Sequence, residues 1–164
     1  MTAAKGIIHS EMPEQEEGVM RGFQLWLNLP GKHKLDPASY QDIQPKDIPR
    51  LTTAAGVEVV VIAGTFDDGQ VRQPGAVQRP DTEPCYFDLH LGAGSQVAPR
   101  LPEGHRALLY VYEGALELPG HPQSVTSSKL VRLSDHGDLQ LASQSGAKVL
   151  LIAGKPLGEP IVQY

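Results

Sequence analysis

The sequence is short of sulfur, of aromatic mass and of long apolar stretches. Of its 164 residues only Cys85 is a cysteine, which excludes an intramolecular disulfide framework and any zinc site built on several thiolates. No apolar run approaches the roughly 18 residues that a membrane-spanning helix needs. The opening residues Met1-Thr2-Ala3-Ala4-Lys5-Gly6 lack the apolar stretch of a secretion signal. Positive charge is also scarce: 14 Lys+Arg against 19 Asp+Glu give a formal net charge of −5. Direct binding to nucleic acid is therefore not expected, because no basic surface is available to neutralise phosphates. G-x-S-x-G, P-loop and G-x-G-x-x-G strings are all missing, which removes support for a hydrolase elbow, a nucleotide triphosphate or a dinucleotide. Together these absences predict a cytoplasmic protein without a membrane anchor.

Glycine and proline are plentiful, at 17 and 14 residues, and they fall between short apolar runs. That punctuation predicts an all-β chain. The runs are Phe23–Leu29, Val57–Ala63, Tyr86–Leu91, Ala107–Tyr112, Ala115–Leu118, Leu130–Leu133, Leu139–Ala142 and Lys148–Ala153. Several alternate with the period of two that a half-buried strand requires. Phe87, Leu89 and Leu91 share one face, with Tyr86, Asp88 and His90 on the other. In Phe23–Leu29, Phe23, Leu25, Leu27 and Leu29 oppose Gln24, Trp26 and Asn28. Glu113-Gly114, between two runs, reads as a tight hairpin turn. About eight strands at this spacing predict a sandwich or small barrel. The proline-bearing stretch Leu35–Arg50 reads as an extended connector, and Phe66–Pro84 as a polar loop.

The segment with the most chemistry is Gly6-Ile7-Ile8-His9-Ser10-Glu11. In an extended chain His9 and Glu11 project from one face, with Cα atoms about 6.6 Å apart. An imidazole and a carboxylate so placed can close on one divalent metal. A redox or hydrolytic centre uses three or four protein ligands, and the chain holds no H-x-H pair to complete such a set. His90 reads as a strand histidine at a polar surface, and His105 as a turn residue entering the next strand. His33, His121 and His136 read as solvated loop residues. Cys85 reads as a small buried hydrophobe rather than a nucleophile.

The string from Thr2 to Pro30, TAAKGIIHSEMPEQEEGVMRGFQLWLNLP, resembles the pirin family of bicupin proteins. The likeness continues through Tyr40-Gln41-Asp42-Ile43 and the closing Leu151–Tyr164, LIAGKPLGEPIVQY. The resemblance implies cupin-type β-barrels: a remnant of an N-terminal barrel over residues 1–35, a connector over 36–56 and a complete C-terminal barrel over 57–164. Family metal ligands are an H-x-H pair, a third histidine and a glutamate two residues later. His9 and Glu11 fall on the last two, and the H-x-H pair lies upstream of Met1 in the family pattern. The implied metal is iron, or another divalent ion. The implied activity is quercetin 2,3-dioxygenase chemistry on a flavonol, a small aromatic substrate, with Glu11 also placed to take the substrate proton. Phe23 or Trp26 would contribute to a flat aromatic pocket. Pirins are also described as regulators that bind protein partners, which is the alternative non-enzymatic reading, and a truncated, inactive pirin is a third. The second barrel, with Pro102-Glu103-Gly104-His105 in place of an H-x-H, is expected to be metal-free. An opened first barrel would expose sheet edges and favour a homo-oligomer.

Overall fold

A computed structural model describes residues 1–12 and 15–161 and divides the chain into two compact units. One comprises Met1–Asp42 with the residues from Gly158 on; the other is Ile43–Leu157. The second carries all the named strands. In chain order these are β1 (Arg50–Thr52), β2 (Glu58–Ala63), β3 (Thr65–Asp67), β4 (Arg72–Pro74), β5 (Cys85–Leu91), β6 (Ser95–Val97), β7 (Arg106–Leu116), β8 (Val125–Thr126), β9 (Lys129–Arg132), β10 (Leu141–Ser143) and β11 (Ala147–Gly154). The all-β expectation holds.

A seven-stranded antiparallel sheet runs in the order β1-β2-β5-β11-β7-β8, with β9 also paired to β7. Two-stranded pieces, β3–β4 and β6–β10, complete the unit. The register explains the core. Val59 lies opposite Leu89, Leu89 opposite Val149, and Val149 opposite Val111. One step along, Val61, Phe87, Leu151 and Leu109 form a parallel row. All eight side chains are fully buried. At about 1.5–3 kcal/mol per buried Val, Leu or Phe, these two rows alone are a large part of the driving force for folding. Phe66 packs edge-on against Phe87, with ring centroids 5.6 Å apart and planes at 85°.

The runs Val59–Gly64 (VVVIAG) and Val149–Gly154 (VLLIAG) are alike in sequence and flank the same strand, because β2 and β11 both pair antiparallel with β5. The Phe66–Pro84 stretch is more ordered than a loop. Thr65 to Pro74 forms the β3–β4 hairpin, whose turn is fixed by Asp68 Oδ1 accepting the backbone N–H groups of Gln70 and Val71, both at 2.9 Å.

The expected hairpin at Glu113-Gly114 is not there. β7 runs unbroken through both residues, and Tyr112 is an extra residue between the pairs Val149–Val111 and Lys148–Glu113. Gly114 has φ +74°, and a Cβ at this position would collide with the carbonyl oxygen of Gly146. The glycine thus makes a bulge, not a turn, and lets β7 bend from its partner β9 to its partner β8.

The smaller unit is held by backbone contacts. Thr2 and Ser39 exchange hydrogen bonds of 2.7 and 3.0 Å, and the Gly31 N–H donates to both carboxylate oxygens of Glu159 at 2.9 Å. Pro30 is the single buried residue described in it. Phe23–Leu29, expected as a strand, belongs to no ladder. Alternation alone does not make a strand, since each extended backbone needs a neighbour to pair with.

Candidate functional site

His9 and Glu11 lie outside any strand or helix, so no ladder enforces their relative placement. The two side chains converge, with Nε2 of His9 3.8 Å from Oε1 of Glu11. The Gln24 side-chain amide reaches both oxygens of the same carboxylate at 3.4 Å. A carboxamide N–H in that position biases the carboxylate's orientation without neutralising it. The pair is open to solvent, with side-chain exposures of 39 % for His9 and 70 % for Glu11. Among the described residues no group of three His, Cys, Asp or Glu side chains comes together as a metal cage. The donor types suit a divalent ion, but their number is two.

The second polar cluster lies on the face of the large sheet opposite the core. Glu58 of β2 and Lys148 of β11 are both cross-strand neighbours of His90 on β5. His90 Nε2 stands 3.0 Å from Asp88 Oδ2, and the Tyr112 hydroxyl donates to Asp88 Oδ1 at 2.8 Å. Glu58 sits 3.7 Å from His90 Nδ1 and accepts from Arg50 at 2.8 Å. Lys148 in turn pairs with Glu113 at 3.0 Å. Burial, and then the Asp88 charge, push the Tyr86 hydroxyl above its ordinary range. His90 is therefore a surface-network residue, as its polar strand face suggested.

His105 is more than a turn residue. Its ring is buried, and Nε2 lies 2.8 Å from the Glu83 carbonyl oxygen. A carbonyl only accepts, so Nε2 carries the proton and the ring ties the Glu83 loop to the start of β7. His33, expected to be solvated, is half-buried and bonded through Nδ1 to Asp36 at 2.7 Å. Cys85 is buried at the start of β5, where burial and the nearby Glu83 charge raise its thiol to about 11. It stays protonated at neutral pH and is no nucleophile.

Sequence reasoning missed Gln24 and Tyr112. Gln24 is 13 residues from Glu11, and Tyr112 is 24 residues from Asp88. No local spacing rule links such positions; only the fold does. No described helix is long and apolar enough to cross a membrane.

Comparison with known proteins places the chain in a family. Residues 86–164 match the family described as the pirin C-terminal cupin domain, and residues 1–27 match the family described as pirin. The chain is 67 % identical over its whole length to a Pseudomonas aeruginosa protein named "Putative quercetin 2,3-dioxygenase", and covers 58 % of that protein. A Thermoplasma acidophilum protein of the same name is 33 % identical, with all of this chain aligned to 68 % of it. The crystal structure of quercetin 2,3-dioxygenase from Acinetobacter baumannii superimposes with a TM-score of 0.73 at 32 % identity, over 85 % of this chain and 47 % of that one. The chain thus spans little more than half the length of most curated relatives it matches. The β unit has the cupin barrel fold, and the chain belongs to the pirin family.

Proposed function

We propose that the chain is part of an iron-dependent dioxygenase that cleaves flavonols such as quercetin, with His9 and Glu11 as two of its metal ligands. The observation that carries this reading is the convergence of the His9 imidazole and the Glu11 carboxylate at 3.8 Å, with Gln24 steadying the carboxylate. Imidazole and carboxylate together are a donor set that divalent iron accepts. Two donors do not complete a centre, so this reading requires further ligands beyond the pair, from residues not yet recognised or from a second chain. On this reading residues 1–35 are the remnant of an N-terminal cupin barrel, 36–56 the connector and 57–164 the C-terminal barrel.

The metal, when bound, supplies Lewis acidity to a substrate hydroxyl. The chain's own residues do the rest. His9 contributes a neutral nitrogen donor. Glu11, beyond its donor role, is placed to receive the substrate's hydroxyl proton on a carboxylate oxygen. Gln24 holds that oxygen's orientation. Trp26, 84 % exposed, and Phe23 offer aromatic faces to a flat substrate.

The alternative reading is a non-enzymatic regulator of the pirin type, responsive to metal or redox state. It is favoured by the large apolar side chains that the smaller unit leaves in solvent, among them Ile8, Met12 and Trp26, a surface suited to a protein partner. The test is iron content and aerobic quercetin consumption of the purified chain expressed with added iron, beside His9→Ala. The expected result is bound iron and oxygen-dependent loss of quercetin, both abolished in the variant. Metal-free protein that leaves quercetin untouched overturns the enzymatic reading for this chain and leaves the regulatory one.

A further inference from the structure

The cupin unit contains a cavity of about 480 Å³ that the His9–Glu11 site does not use. Three arginines line it, Arg72, Arg79 and Arg100, against two carboxylates, Asp67 and Glu83. In a chain of net charge −5, acidic partners are in excess, yet this cluster is left undercompensated. Neither carboxylate pairs with Arg79 or Arg100. Asp67 Oδ1 accepts the Gly69 N–H at 2.7 Å, and its Oδ2 lies 4.0 Å from Arg72. Glu83 points its carboxylate to Lys155, at 3.4 Å. Arg79 and Arg100 form no ion pair among the described residues.

All three arginines are exposed, and the backbone is fixed at two of them. The Arg100 N–H donates to the Asp67 carbonyl at 2.7 Å, which ties its segment to β3. Its guanidinium lies across Gly69, where a Cβ would strike it, so the missing side chain is what gives the guanidinium room. Arg79 opens a turn closed by the Glu83 N–H on its carbonyl at 2.8 Å, and the buried His105 pins that turn through the Glu83 carbonyl. Beneath the charges the wall is apolar, with Pro84 and Cys85 buried and Leu101 partly so. A pocket of this size, with an apolar wall and a few guanidinium donors at its rim, has the make-up of a small-molecule site. Guanidinium forks match the two oxygens of a carboxylate or phosphate.

We propose that this cavity binds a small anion, its carboxylate or phosphate oxygens held by Arg79 and Arg100 and any apolar body resting on Pro84 and Leu101. The test is calorimetric titration of the full chain, at low ionic strength, with inorganic phosphate, citrate and benzoate, and with neutral benzamide as control. The expected result is saturable binding of at least one of the three anions below about 10 mM. That affinity falls about tenfold or more in Arg79→Ala and in Arg100→Ala and survives in Arg132→Ala, whose arginine lies outside the cavity. Preference for benzoate over phosphate identifies an organic acid as the ligand; the reverse identifies phosphate. Circular dichroism confirms that the variants fold. No saturable binding of any anion overturns the proposal, as does benzamide binding equal to benzoate, or undiminished affinity in both arginine variants.

Discussion

The bulge in β7 makes a prediction that the hairpin reading would not. Gly114→Ala puts a methyl group where the Gly146 carbonyl already stands, on a backbone with φ +74°. The left-handed conformation costs a non-glycine residue about 1–2 kcal/mol. The collision involves backbone on both sides, so no side chain can swing away, and relieving it should cost a further ~1–3 kcal/mol. The loss is then about 2–5 kcal/mol, a large fraction of a typical domain's stability. Gly94→Ala is the matched control. Gly94 has φ +75°, but a Cβ there meets nothing within 4 Å, so only the conformational cost applies. The assay is urea unfolding followed by far-ultraviolet circular dichroism. Fluorescence would miss the event, because the single tryptophan, Trp26, lies in the other unit. If both variants lose the same stability, the close approach of Gly114 to Gly146 is refuted.

Alkaline stability should depend on Cys85. Its folded thiol is raised to about 11 from an ordinary 9.0, so below pH 9 both states are protonated and the thiol costs nothing. Between pH 9 and 11 the unfolded state ionises first, and stability falls by roughly 2–3 kcal/mol in total; Cys85→Ala should flatten that limb of a stability–pH curve. Tyr112→Phe removes the donor to Asp88 Oδ1 and should cost about 1 kcal/mol in the same denaturation assay, with little further loss when combined with Asp88→Asn.

Much of the cupin unit was legible because its strands keep one face dry. β5 is the clearest case: Phe87, Leu89 and Leu91 fall on the core side, and Tyr86, Asp88 and His90 on the other, as their alternation indicated. What failed was the meaning of glycine. Gly114 could mark a turn or a bulge, and the choice rests on β11, more than thirty residues later in the chain. Phe23–Leu29 shows the converse, a good pattern with no ladder. The proximity of His9 and Glu11 was legible because two residues of spacing bring side chains to one side of an extended chain; their role as ligands is the proposal above. The arginines of the cavity were not, since β4, the Glu83 turn and the segment after β6 meet only in the folded state.

The order of the large sheet also bears on how the molecule is made. β11, the last strand among the described residues, lies between β5 and β7, so neither reaches its final neighbour until about residue 154 exists. During synthesis β5 and β7 wait with unpaired edges, and contacts this distant in sequence close slowly. A ribosome-bound chain stopped before Ala147 should therefore present sticky strands to chaperones rather than a partly built barrel. Removing the chain from Ala147 onward should abolish the cooperative transition outright instead of lowering its midpoint.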